Sequence, residues 1–253
     1  MKYFIITGTS RGIGESLARL LLQDEHHIIS IARNDNPMLV ELSTQKGGRL
    51  SHYTFDLNNL HGIDSLFDEL FDLIKKDSGL ESLYLINNAG VLSPVAPIEQ
   101  IQAAGLIENV HVNLIAPMII TSSFIRHSSD LPVEKRIMNI SSGSAKYLLP
   151  SQSCYSTSKA GLDSFTKSIS LEQSGRKHPV KVVSVYPGMI DTALQTEIRS
   201  IRREDFPYVD QFIEIAQQGM LQTPNNTAAK LLDVLLSDDF GSTVVIEQLE
   251  SVS

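Results

Sequence analysis

The chain has a single cysteine, Cys154, among its 253 residues. With no second thiol it can form no intrachain disulfide and no cysteine-based zinc site, a pattern that fits a reducing compartment. The histidines show no HExxH spacing, and no metal site is expected. Dense runs of Lys and Arg are missing and the formal net charge is −8, which argues against a nucleic-acid surface. The Arg199, Arg202, Arg203 cluster is followed at once by Glu204 and Asp205, so it reads as a solvated helix face. Only Met1 and Lys2 precede the first apolar run, and no signal peptide is expected. The longest apolar stretch, "NLIAPMIITSSFI", is too short to cross a bilayer and contains a proline. Low-complexity tracts are absent as well. These absences leave the expectation of a cytoplasmic protein with no membrane and no nucleic-acid partner, whose ordinary composition can fill a large core.

What is present is an alternation. Short apolar, β-branched runs occur at 3–7, 27–32, 50–55, 83–87, 135–141, 180–186 and 243–247. Several are apolar almost throughout, as strands covered on both faces must be. Helix-length segments lie between them at 12–23, 60–77, 98–129, 153–175 and 224–237. Repeated βα units predict a doubly wound parallel sheet, a Rossmann-type α/β fold. No linker-like stretch divides the chain, so one domain is expected over 1–253. The segment 189–222 is long for a connection and carries its own helical pattern in "DQFIEIAQQGM", which predicts a helical lid.

Directly after the first strand comes "TGTSRGIG". Gly8, Gly12 and Gly14 permit a tight turn and a close approach of backbone to a pyrophosphate, while the helix that follows offers free N–H groups. This predicts dinucleotide binding. The spacing G-x-x-x-G-x-G departs from the commoner G-x-G-x-x-G fingerprint. The second strand ends in "SIARND", with Arg33 where an NAD site usually has an acid. Arg11 in the glycine loop is a second cation, and the two favour NADP(H). Asp35, two residues further on, is the acid that opposes this reading. A third stretch, "SQSCYSTSKAGL", puts Tyr155 and Lys159 one turn apart on one helical face, a spacing that many helices have by chance.

With "TGTSRGIG", "NNAG" (87–90), Asn113, Ser142, "YSTSK" (155–159) and "PGMIDT" (187–192) in this order, the chain resembles the short-chain dehydrogenase/reductase family from residue 3 to the last strand. The resemblance implies cofactor contacts at Gly8, Ser10, Arg11, Gly12, Ile13 and Gly14, and at Arg33 and Asn34. It further implies Asp56 and Leu57 on the adenine side, Asn88, Ala89 and Gly90 beside the cofactor, and Pro187, Gly188, Ile190 and Thr192 around the nicotinamide amide. Tyr155 and Lys159 would touch the cofactor as well as belong to the catalytic set. The implied catalytic set is Asn113, Ser142, Tyr155 and Lys159, with Tyr155 as proton donor in carbonyl reduction and Ser142 bonding the carbonyl oxygen. Ser141 is the rival serine, and the family's thirteen-residue interval selects Ser142. Asn113 matches an asparagine that holds a water linking Lys159 to solvent. His111 and Cys154 are given no role. A cation about 4 Å from a phenol, at effective dielectric ~20, favours the phenolate by roughly 4 kcal/mol, or about three pKa units. Lys159 is therefore expected to bring Tyr155 down toward neutrality.

For the substrate, the segment 143–154, the "VLSPVAP" loop (91–97) and the lid are expected to form the walls. Leu148, Leu149, Val91, Leu92 and Met189 would make them apolar, with Tyr147 and Gln152 as polar handles, suiting a bulky or aromatic carbonyl. "PGMIDTALQTEIR" and the late "DDFGSTVVIEQLE" look most like the sepiapterin reductase branch of the family, whose bacterial relatives include benzil reductases that form (S)-benzoin. Glu250 falls where that branch has a substrate-anchoring carboxylate. Open alternatives are a pteridine reductase, a generic aldo/keto detoxifier and, in another class, a dinucleotide-sensing regulator without turnover. The resemblance also implies a homo-oligomer, a dimer by preference, through the helices at 98–129 and 153–175.

Overall fold

The computed structural model describes residues 1–249. Seven parallel strands form one sheet: β1 (Lys2–Thr7), β2 (His26–Ala32), β3 (Arg49–Thr54), β4 (Ser82–Asn87), β5 (Glu134–Ile140), β6 (Lys181–Val185) and β7 (Val245–Ile246). Their order is β3-β2-β1-β4-β5-β6-β7, so the direction of winding reverses between β1 and β4. The fold is the doubly wound Rossmann type in a single domain. Nine α-helices accompany the sheet among the described residues: α1 (Gly12–Leu21), α2 (Pro37–Lys46), α3 (Ile63–Ile74), α4 (Ala103–Val110), α5 (Ala116–Ser128), α6 (Ser153–Gln173), α7 (Ala193–Arg199), α8 (Val209–Gln217) and α9 (Pro224–Leu236).

Successive strand side chains point to opposite faces, and the core divides accordingly. Tyr3, Ile5, Leu83, Leu85, Ile137 and Val182 meet Phe67, Phe71, Ile120 and Phe124 of α3 and α5. Phe4, Ile6, Tyr84, Ile86, Met138 and Val183 meet Leu17 and Leu21 of α1 and Leu231 and Leu235 of α9 on the other face. Burial on both faces is why β1 and β4 read as nearly continuous apolar runs. Residues 189–222 contain α7 and α8, which pack on each other and form a third apolar cluster with Leu92, Val95 and Tyr155.

The structure departs from the sequence expectations in three places. Helix α2 was not expected. Its ends are marked by Asn36 capping the Leu39 amide, Pro37 in the first turn and Gly47 in the left-handed conformation (φ 71°). Leu39 is its one buried residue, so no apolar stripe announced it. The segment 98–129 is not one regular helix: a 3₁₀ turn at Ile98–Gln100 precedes α4, and a π-helical turn, His111–Ile115, joins α4 to α5. Pro117 has no N–H to give the Asn113 carbonyl, and the Ala116 amide reaches back to the His111 carbonyl instead, which widens the turn. The apolar stretch judged too short to span a bilayer belongs to a helical run of 26 residues, 103–128, whose most apolar window has mean hydropathy 1.4. It lies against α3 and α6 in the helical layer. The last strand is shorter than the run 243–247, being reduced to two residues.

A buried polar network ties the carboxyl ends of β4 and β5 to the helices that carry the site. The Asn87 amide donates to Asn139 Oδ1 at 2.8 Å and to Thr121 Oγ1 of α5 at 3.3 Å. The Asn139 amide donates to Thr166 Oγ1 of α6 at 2.8 Å. In a low-dielectric interior each lost partner strands another group. Asn139→Ala is expected to lower stability by about 2–3 kcal/mol. Urea unfolding checks it: the midpoint should fall with unchanged slope, and an unmoved midpoint would contradict the network's role.

Candidate active site

In a wound parallel sheet the crevice lies at the carboxyl ends of the strands, where the order reverses. A cleft of about 1000 Å³ lies there. Its walls come from the residues that follow each strand: Gly8 to Ile13 after β1, Arg33 to Asp35 after β2, Asp56 and Leu57 after β3, Asn88 to Val91 after β4, Ser141 to Ser144 after β5, and Pro187 to Thr192 after β6.

The dinucleotide half is built on close backbone approach. Thr7 Oγ1 accepts from the amides of Asn88 and Ala89, each at 3.0 Å, and the Asn88 side chain donates to the carbonyls of Thr7 (2.9 Å) and Gly8 (3.2 Å). The "NNAG" turn thus clamps the glycine loop. Gly8 takes φ 76°, and a Cβ there would lie 2.9 Å from the Ala89 Cα. Gly14 does not face the cleft: it is buried beneath the loop, and a Cβ on it would lie 2.2 Å from the Gly8 carbonyl oxygen. Its part is to let α1 pack close, a correction to its expected cofactor contact. Arg11 stands at the N-cap of α1 and supplies no side-chain cap, so the first-turn amides of this ten-residue helix stay free toward the cleft. These features fit an anionic pyrophosphate. Ser10, Arg11, Arg33 and Asn34 lie together on the wall. Asp35 lies against β3, where His52 Nε2 is 2.9 Å from its Oδ1 and Thr54 donates to it at 3.4 Å.

The chemical half is assembled by α6. Tyr155 and Lys159 are buried side by side, with Lys159 Nζ 5.8 Å from the centre of the Tyr155 ring. Lys159 Nζ donates to the Ile140 carbonyl at 2.8 Å. Ser142 faces the cleft and accepts from the Ser144 amide at 3.1 Å, while Ser141 is buried and donates to the Lys159 carbonyl. Asn113 lies off the cleft wall. Its amide donates to the Val91 carbonyl (2.8 Å) and to Asn109 Oδ1 (3.0 Å), and its Oδ1 accepts from the Val91 amide (2.9 Å). The side chain is a strap between the π-turn and the 91 loop. Gly90 leaves room between them: a Cβ there would lie 3.1 Å from Asn113 Oδ1 and 3.6 Å from Lys159 Nζ.

Electrostatics correct the expectation for Tyr155. Burial pushes its hydroxyl above the ordinary tyrosine value, against a smaller opposing effect of the Ser142 hydroxyl. Burial also lowers Lys159, to about 8, against the opposing charge of Asp163. The lysine therefore loses its charge before the tyrosine begins to titrate, and the cation that was to lower Tyr155 is gone by then. Desolvation, which the two-charge estimate left out, is the larger effect. For Cys154, burial pushes the thiol up, and its Sγ donates to the Leu106 carbonyl at 3.7 Å.

Of the residues expected to wall the substrate side, Val91, Leu92, Met189, Tyr147 and Gln152 line the cleft. Leu148 does not, being 71% exposed. Leu149 packs on the Tyr155 cluster with Ile198 and Phe206 of the segment 189–222, and does not line the cleft. Two consecutive residues on a turn cannot share one face, which is why "LL" was misleading. Glu250 lies outside the described residues. Several wall residues were not expected from the sequence, two of them with chemistry to offer. Glu247 brings a carboxylate to the cleft, paired with Lys146 Nζ at 2.6 Å, and Gln195 of α7 lines it with a buried Oε1 that has no partner. An unpaired buried acceptor is a feature that a bound molecule would satisfy. Both lie inside stretches that carry the family resemblance, "PGMIDTALQTEIR" and "DDFGSTVVIEQLE", but nothing in those stretches marks which side chain meets the cleft.

Known proteins share this architecture. A family model described as short chain dehydrogenase matches residues 2–203. The chain is 39% identical to benzil reductase ((S)-benzoin forming) of Bacillus cereus, over 97% of this chain and 98% of that one. It is 28% identical to sepiapterin reductase of Bos taurus, over 96% and 92% of the two chains. Among solved structures, the angucycline C-6 ketoreductase LanV with bound NADP superposes with TM-score 0.78 at 27% identity, covering 97% of this chain and 93% of that one. A sheet reversed between β1 and β4, a glycine loop clamped by "NNAG" and a family match over most of its length lead to one assignment: the chain belongs to the short-chain dehydrogenase family, oxidoreductases that use a nicotinamide dinucleotide.

Proposed function

We propose that the protein is an NADPH-dependent carbonyl reductase for bulky or aromatic ketones and 1,2-diketones, working in the cytoplasm as a homodimer. The observation that carries this is the setting of Tyr155: a phenol open to the cleft, embedded among Leu92, Val95, Ile198, Phe206 and Val209, with Lys159 beneath it. Such a pocket excludes water and suits an apolar substrate. The 39% identity to a benzil reductase over almost the whole chain supports the same substrate class.

Arg33, Asn34, Ser10 and Arg11 would hold the 2′-phosphate, with Asp35 occupied at β3 by His52 and Thr54. The free amides of α1 would hold the pyrophosphate, and residues 187–192 the nicotinamide amide. When bound, the cofactor supplies the hydride. Ser142 donates to the carbonyl oxygen and fixes its position, and Tyr155 gives that oxygen its hydroxyl proton. Lys159 stabilises the phenolate left behind by its positive charge, and Asn113 keeps the Gly90–Val91 turn clear of that ammonium. The segment 189–222 acts as the lid. Sepiapterin reductases among the relatives, with Glu247 as a carboxylate on the wall, support pteridines as a second substrate class. The dimer rests on the run 103–128, of whose apolar window only 33% is buried within one chain.

Four outcomes follow. In an NADPH-consumption screen with benzil, 1-phenyl-1,2-propanedione, sepiapterin and acetoacetyl thioesters, the diketones should give the highest kcat/KM. Tyr155→Phe should lower that value by about 10²–10⁴-fold, and wild-type rates in the variant would remove Tyr155 as proton donor. Arg33→Asp should weaken NADPH binding roughly 10–100-fold by losing a charge-assisted contact and adding repulsion, with little change for NADH. Equal losses in titrations with both nucleotides would sink the 2′-phosphate assignment. For pH, Tyr155 lies above its ordinary value and stays protonated, so the group that fails first is Lys159, at about 8. The kcat/KM for reduction should therefore be level below about pH 7 and fall through pH 8. A profile level to pH 9.5 would contradict it.

A further inference from the structure

Helix α6 carries one more ionisable residue in register with the site. Asp163 follows Lys159 by the same four-residue step that separates Lys159 from Tyr155, so the three lie along one face. Asp163 is 6% exposed and Lys159 4%. Both carboxylate oxygens are engaged: Ser184 Oγ of β6 donates to Oδ1 at 2.5 Å, and the Tyr186 hydroxyl donates to Oδ2 at 2.6 Å. Two hydroxyl donors, one on each oxygen, thus hold this buried carboxylate in place. Nothing in the proposed reaction uses it.

Lys159 has the opposite need. Its ammonium is buried, and its one protein hydrogen bond goes to the Ile140 carbonyl. The neighbours from each packed element are few. Tyr155 and Asp163 come from α6, the uncharged Asn113 from the π-turn, the Ile140 carbonyl from β5 and Ser142 from the loop beyond it. On the β6 side, Tyr186 reaches the pair through Asp163, and Glu247 and Tyr147 bear on Tyr186 but not on Lys159. Asp163 is the charge in this set that favours the ammonium.

We propose that Asp163 is the counter-ion of Lys159, a positioning residue that keeps the ammonium charged from one turn below while Ser184 and Tyr186 fix the carboxylate against β6. This rests on the reading of Lys159 as the cation beside the proton donor, and it adds what makes that cation tenable in a dry site. The same clamp ties the base of the 187–192 loop to α6, since Tyr186 immediately precedes Pro187. One helical turn away, at an effective dielectric near 20, a carboxylate raises the proton affinity of an amine by about ten- to a hundredfold.

The test titrates Lys159 directly in the full chain labelled with ¹³C-lysine, the signal being assigned by its loss in Lys159→Met. Asp163→Asn removes the charge and keeps the shape. Tyr186→Phe removes a hydrogen bond to Asp163 and keeps the charge. Loss of the counter-ion should reduce the proton affinity of Lys159 at least tenfold in Asp163→Asn, and leave it within about twofold of wild type in Tyr186→Phe. If Asp163→Asn does not fold, Asp163→Ser removes the same charge and gives the same reading. An unchanged Lys159 titration in the charge-removing variant overturns the proposal, as does an equal drop in Tyr186→Phe. The basic limb of kcat/KM is read alongside. If Lys159 moves and that limb does not, Asp163 stands as its counter-ion and the catalytic reading of Lys159 falls instead.

Discussion

A buried ammonium is the constraint on which the site depends. Transfer of Lys159 from water to the interior costs free energy in proportion to its desolvation, and that cost lowers its pKa to about 8. The fold offsets the cost with the Ile140 carbonyl at the end of β5 and with Asp163, itself held from β6. Three elements of the sheet and helix layers must therefore stay in register for one charge to be tolerated. The Asn87–Asn139–Thr166 network ties two of these elements, β5 and α6, to each other and to β4 a few residues away. Stability and chemistry share these contacts, so substitutions in the network should affect both.

The other half of the cleft depends on empty space. A parallel sheet brings its strand ends to one edge, and the reversal between β1 and β4 opens a gap there. The gap becomes a phosphate site because α1 can approach β1 without a side chain at position 14, and because its first amides are left uncapped. Position 8 needs a left-handed backbone as well as room against Ala89, so two glycines act for different reasons. Ile198, Phe206 and Val209 of the segment 189–222 then cover the Tyr155 side with apolar groups.

Much of this was legible in the order of residues. The alternation of apolar runs and helical segments is enough for the wound sheet, since strands buried on both faces must be apolar throughout. The glycine loop, "NNAG", Ser142, Tyr155 and "PGMIDT" mark strand ends that converge, and they do line one cleft. What escaped has physical reasons. Gly14 and Asn113 act by packing and by strapping, which spacing cannot distinguish from direct contact. Leu148 and Leu149 sit on a turn whose direction depends on the tertiary fold. Helix α2 buries too little to show a period. The titration of Tyr155 and Lys159 depends on how dry each group is, and no sequence pattern encodes that. Glu247, Gln195 and Asp163 gain meaning only when distant segments meet.

The central claim is that this cleft delivers a hydride to a carbonyl carbon. Incubation with NADPH deuterated at the transferable C4 position and benzil, followed by mass spectrometry and proton NMR of the alcohol, tests it most directly. The account predicts deuterium on the carbinol carbon, one equivalent per cofactor oxidised, with the hydroxyl proton drawn from solvent. Cofactor binding without any deuterated alcohol, from benzil or the other carbonyls, would contradict it and leave a dinucleotide-binding protein without turnover.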